Sequence, residues 1–170
     1  MEEKSSIWKV ALNYGAISGL SLVILTTIWY VTNLTFNQYV GWLNYVVIIG
    51  LVIVGTKKQR ELDDGFISYG KALGVGSVIC IISALILAVF SYLLYTVIDA
   101  DLINKLYAVQ EQAMMTNPAI TDEQIDASME MVKKFTNPTV ISIGAFFGIS
   151  FIGFIISLIT SAVLKKDKEL

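Results

Sequence analysis

Histidine is absent from this 170-residue chain, and cysteine occurs once, at Cys80. The first absence removes the commonest general base and the imidazole ligand of zinc, and the second leaves no partner for a disulfide. Charge is also scarce, with 15% of residues Asp, Glu, Lys or Arg against about 25% in an ordinary soluble domain. The scarcity is local. Val10 to Thr56, Ala72 to Ile98 and Phe135 to Leu164 contain no charged residue, so 104 residues are charge-free and the other 66 hold all 26 charges. With 55% hydrophobic residues distributed this way, the chain reads as an integral membrane protein. Ionisable groups are missing from the apolar runs, which argues against a proton-coupled pump, a voltage sensor or a charged-substrate carrier, since those place such groups inside the membrane at a cost of about 3 kcal/mol or more each. Intramembrane proteolysis lacks its histidines, its base or its in-membrane acids. No catalytic residue, cofactor or metal site is expected, and no nucleic-acid partner; the bilayer itself is the expected environment.

What is present fixes a span count. The 47 charge-free residues from Val10 to Thr56 would make a helix of roughly 70 Å at about 1.5 Å per residue, more than twice a hydrocarbon core of about 30 Å. A break is needed, and Thr32, Asn33, Thr35, Asn37 and Gln38 supply the polar, turn-forming residues. The spans predicted are therefore 10–33, 39–55, 72–98 and 138–164, the first two forming a tight antiparallel pair. Continuous apolar runs of this length satisfy their amides as helices. Asn137 and Pro138 suit the N-cap and first position of the fourth span. Lys71 is close enough to the interface to snorkel outward. The first span is longer than the core of an export signal and is expected to be retained. The fold class is all-α: an integral membrane four-helix bundle, read as one domain over 1–170.

Orientation follows from the basic residues. Lys4, Lys9, Lys57, Lys58, Arg60, Lys71, Lys165, Lys166 and Lys168 flank one side, against Lys105, Lys133 and Lys134 on the other. The positive-inside rule then puts both termini in the cytoplasm. Trp8 and Trp29 lie roughly 32 Å apart along a helix and mark the two headgroup levels, with Tyr39 and Trp42 at the outer level of the second span.

Residues 99–137 are the one sizeable polar segment, with seven acids against three lysines. Leu102, Leu106, Val109 and Ala113 predict an amphipathic helix to about Met115, which Asn117 and Pro118 interrupt. Thr121 and Gln124 form a capping-box pattern ahead of Ile125, Met129 and Val132, so the segment reads as an amphipathic helical hairpin between spans 3 and 4. Glu123, Asp126 and Glu130 share neighbouring turns and are the candidate partner contacts. Without an EF-hand pattern they read first as a solvated face. Within the spans, Gly15/Gly19, Gly70/Gly74 and Gly144/Gly148 form GxxxG pairs, with Gly50, Gly76 and Gly153 nearby. These are helix-packing candidates inside the bundle, and the same residues would serve a homo-oligomer or contacts with other membrane proteins. Cys80 reads as a small packing residue. Ser18, Ser21, Thr26, Asn44, Ser77, Ser83, Ser150, Ser157 and Thr160 are expected to bond a neighbouring helix or the preceding turn.

The order of parts (a short first hairpin, a basic KKQREL turn, the GFISYGKALGVG entry to span 3, the TVIDADL exit, an acidic helical loop and a final SLITSAVLKK) resembles the membrane family catalogued as domain of unknown function 4199, found mainly in the Bacteroidetes group of bacteria. The resemblance covers nearly the whole chain. Its most specific parts are Gly65 to Gly76 and the exit at Ile98 and Asp99. Members often carry a proline just after that aspartate where this chain has Ala100, which implies that the third helix continues unbroken into the outer loop. The family implies a bacterial inner-membrane address and brings no catalytic residues. The function expected is that of a non-enzymatic accessory, scaffold or assembly component; the alternative is a small oligomeric transporter or channel for a neutral or apolar solute.

Overall fold

A computed structural model describes residues 7–37 and 39–166. Lys4, Gln38 and Lys168, used above, lie outside the described residues. Six α-helices form: α1 (Ile7–Val31), α2 (Gly41–Leu62), α3 (Tyr69–Leu93), which ends in a π-helical turn (Leu94–Ile98), α4 (Leu102–Met115), α5 (Asp122–Phe135) and α6 (Pro138–Leu164). The protein is all-α, and α1, α2, α3 with its π turn, and α6 are its four long apolar membrane-spanning helices.

Helix ends follow local chemistry. At the end of α1, Asn33 takes φ +57°, the Leu34 N–H bonds the Trp29 carbonyl and the Asn33 N–H bonds that of Tyr30, the paired bonds of a Schellman cap. On α6, the Asn137 side chain accepts the Val140 N–H at 3.0 Å, with Pro138 at the first helical position. Thr121 and Gln124 exchange the two bonds of a capping box at α5.

Two boundaries depart from expectation. The second helix does not stop at Gly55 but runs to Leu62, so KKQREL is helix rather than turn. Lys, Gln, Arg, Glu and Leu are all strong helix formers, and charge limits how much of a helix sits in lipid, not where the helix ends. The third helix does not run unbroken past Ala100. Asp99 leaves helical geometry at φ −146°, ψ 86°. Its carboxylate accepts the Asp101 N–H at 3.1 Å and Lys105 Nζ at 2.9 Å. An aspartate turn of this kind ends a helix without proline.

The chain divides into two compact units, Met1–Leu87 with Ala145–Leu170, and Ala88–Gly144. In the first, α3 is the helix the others approach. A Cβ built on Gly15 would lie 2.8 Å from Ile82 Cβ, and one on Gly19 2.7 Å from Ile86 Cδ1, so α1 meets α3 with almost no side-chain gap. Ser83 Oγ donates across the same contact to the Gly15 carbonyl at 3.2 Å and to Ile79 in its own helix at 2.7 Å. On α2, Gly55 gives equally close access to Ile79, and Gly76 of α3 meets Ser157 of α6. Gly153 of α6 receives Cys80, which is fully buried and fills the space a side chain there would occupy. In the second unit, Leu102, Ile125 and Met129 are buried, while Val109 and Ala113 of the predicted α4 face are exposed. Tyr107 donates its hydroxyl to the Thr136 carbonyl at 2.5 Å.

By contrast, nothing lies within 4 Å of where a Cβ would sit on Gly70, Gly74, Gly144 or Gly148. Substituting Gly19→Leu is therefore expected to destabilise the protein by about 1–3 kcal/mol through overpacking, whereas Gly148→Leu changes stability by less than about 0.5 kcal/mol. Unfolding in micelles followed by circular dichroism checks the difference; equal effects would show that the α1–α3 approach is not a stability determinant.

Candidate functional site

Polar chemistry in the first unit gathers where α2 ends, α3 begins and α6 ends. The α2 helix carries Gln59, Arg60 and, just past its last turn, Asp63. The chain reverses through Asp64 and Gly65, both at positive φ (57° and 85°), and the Gly65 N–H closes the turn on the Arg60 carbonyl at 2.9 Å. The reversal brings Lys71, two residues into α3, back over Asp63. Lys71 Nζ lies 2.7 and 2.6 Å from the two carboxylate oxygens, and Gln59 Nε2 donates to Asp63 Oδ2 at 3.1 Å. Gln59 is fully buried, and the side chains of Lys71 and Asp63 are 27% and 15% exposed, enough enclosure to make an unpaired charge there costly. The expectation that Lys71 reaches outward is thus met differently: it turns back to a carboxylate.

The far side of the junction is built from the end of α6. Arg60 donates to the Leu164 carbonyl at 3.4 Å, which takes up one of the acceptors a helix leaves open at its C-terminus. Ile67 and Lys166 exchange two backbone hydrogen bonds of 2.9 Å, the one antiparallel bridge among the described residues. Lys166 Nζ also stands 5.4 Å from the centre of the Phe66 ring, within cation–π range. One turn deeper in their helices, Thr56 and Ser161 are buried with hydroxyls that have no hydrogen-bond partner.

This arrangement is a clamp. Its carboxylate is occupied by a lysine and an amide, its arginine by a carbonyl, and no nucleophile–base pair is formed by these contacts. Among the described residues, no group of three or more Cys, Asp or Glu is placed to hold a metal ion. Elsewhere, Glu123, Asp126 and Glu130 are all exposed on α5. Of the glycines singled out by spacing, Gly15 and Gly19 lie against α3 while Gly70, Gly74, Gly144 and Gly148 face open space. The hydroxyls of Ser21, Thr26, Ser142, Ser157 and Thr160 each bond a carbonyl four residues back in their own helix, whereas those of Ser18, Ser77 and Ser150 and the Asn44 side-chain oxygen, also expected to bond, are buried without a partner.

The Asp63–Lys71 pair was not singled out from the sequence. The available signal was two opposite charges at a bilayer edge on either side of a glycine turn.

Residues 13–166 match the family described as "Protein of unknown function (DUF4199)". The chain belongs to that family. The matched range includes the entire junction, from Gln59 to Lys166. No curated protein and no solved structure matches the chain.

Removing one partner of the enclosed pair strands the other. Lys71→Met and Asp63→Asn are each expected to cost about 1–3 kcal/mol, between the values for exposed and fully buried pairs. The double variant is expected to cost less than the two losses added together. Chemical denaturation of the four species in micelles measures the coupling; strictly additive losses would mean that the contact contributes nothing.

Proposed function

We propose that this multi-pass membrane protein is a non-enzymatic component of the bacterial inner membrane, acting as an accessory, scaffold or assembly element. In this reading α1, α2, α3 and α6 form a four-helix bundle with both termini in the cytosol, and α4 and α5 fold as a helical hairpin on the outer side. The observation that carries it is how the reactive groups are spent. Asp63 is held by Lys71 and Asp99 by Lys105. Most hydrogen-bonded hydroxyls in the spans donate to their own helix backbone, the local role such groups commonly take in membrane helices. What remains for partners is surface: lipid-facing helix sides, the open Gly70/Gly74 and Gly144/Gly148 faces, and the acids of α5.

The basic residues support the orientation. Lys57, Lys58 and Arg60 at the end of α2, Lys71 at the start of α3 and Lys165 and Lys166 after α6 collect at one set of helix ends, as the positive-inside rule requires of the cytosolic side.

Two measurements test the reading together. A phosphatase reporter that is active only in the periplasm is expected to be silent when fused after Lys166 and active when inserted between Asn117 and Thr121. Crosslinking in native membranes followed by co-purification is expected to recover a second membrane protein species. Recovery of self-contacts alone, together with solute flux in liposomes, would replace the accessory reading with a homo-oligomeric pore.

A further inference from the structure

The α5 helix has more apolar surface than the protein covers. At about 100° per residue, Ile125 and Met129 form one line, and both are buried. On one flank of that line stand Asp122, Asp126, Glu130 and Glu123, all exposed. On the other flank stand Ala127, Met131 and Phe135, spaced at i, i+4 and i+8, and they too are exposed, Met131 by 64% and Phe135 by 61%. Together with Ser128, Val132 and Thr136 they line an open groove of about 530 Å³. An apolar stripe standing in water on an otherwise polar helix is unfavourable by about 25 cal/mol for each Å² left wet, and it needs an occupant.

Chain continuity identifies the occupant. Phe135 is three residues from Pro138, where α6 begins its apolar run, so this end of α5 lies at the level where a membrane span enters lipid. Lys134 borders the stripe, with Nζ 5.9 Å from the centre of the Phe135 ring, and Lys133 is beside it. Apolar residues on one flank, acids on the other and cations at the end nearest the span is the pattern of a helix lying in a bilayer interface. We propose that α5 rests on the membrane surface, with Met131 and Phe135 inserted among phospholipid acyl chains, Lys134 at the level of the phosphates, and Glu123, Asp126 and Glu130 facing water. This site goes beyond the accessory reading and does not depend on which side of the membrane carries the termini.

Spin labels on Met131→Cys, Phe135→Cys and Glu130→Cys, each in the full chain purified and reconstituted into phosphatidylglycerol–phosphatidylethanolamine vesicles, test it; Cys80 is fully buried and unlabelled wild-type protein serves as the control. Labels at 131 and 135 are expected to collide more with dissolved oxygen than with a polar nickel complex, and the label at 130 the reverse. Preferential nickel collisions at 131 and 135 would overturn the proposal. So would oxygen preference that disappears when the protein is diluted to about one copy per vesicle, which would assign the groove to a second copy of the chain. Circular dichroism of the labelled variants confirms that the helices are intact before either outcome is read.

Discussion

A polar group taken out of water is costly to leave without a partner, and this cost shapes much of the molecule. In the spans it selects helices, because each amide then bonds within its own segment. It sends the hydroxyls of Ser21, Thr26, Ser157 and Thr160 back to carbonyls one turn earlier. At the helix ends it draws charges into pairs, Lys71 onto Asp63 and Lys105 onto Asp99. Membrane helices gain little from burying apolar side chains against one another, since lipid is as apolar as leucine, so association depends on close packing and on the few hydrogen bonds between helices. That is why contacts in the first unit run through Gly15, Gly19, Gly55, Gly76 and Gly153. The Ser83 hydroxyl, which reaches across to the Gly15 carbonyl, sits inside the same α1–α3 contact.

How much of this was readable beforehand depended on whether the determinant was local. The four spans, the Thr121–Gln124 capping box, the Asn137–Pro138 start and the end of α4 at Met115 are all set by residues within a few positions of each other, and each is found at or near its expected place. The end of α2 was misplaced because the loss of hydrophobicity after Thr56 marks the edge of lipid, while the helix itself continues through residues that favour it. The third span ends at Ile98, as its apolar run predicts, while the continuation past Ala100 that the resemblance implies fails because the Asp99 side chain ends the helix without proline.

Non-local partners were the part least open to reading. Spacing alone cannot distinguish Gly15 and Gly19, which lie against Ile82 and Ile86, from Gly144 and Gly148, which lie against nothing. Both pairs are small residues four apart in an apolar helix. What separates them is which helix face meets a neighbour, and that depends on rotation about the helix axis. The same holds for α5, whose Ile125–Met129 line was legible as a face but whose second apolar flank gained meaning only once the first was seen to be the covered one.

Gly65 to Gly76 and the exit at Ile98 and Asp99 stand at the two ends of α3, and both lie within the residues that match the family. A lipid-facing position asks only for an apolar side chain, and Leu, Ile, Val or Phe meet that demand about equally. A junction asks for more. At the first, the φ of +85° at residue 65 favours glycine, position 71 needs a cation that reaches Asp63, and position 76 needs a residue without a side chain beside Ser157. At the second, residue 99 must accept both a backbone N–H and an ammonium. Each requirement names one or two residue types, where a position in a long apolar run, physically just as important, accepts many. The residue types at these positions thus follow from how α3 is terminated at both ends and how closely it meets α6.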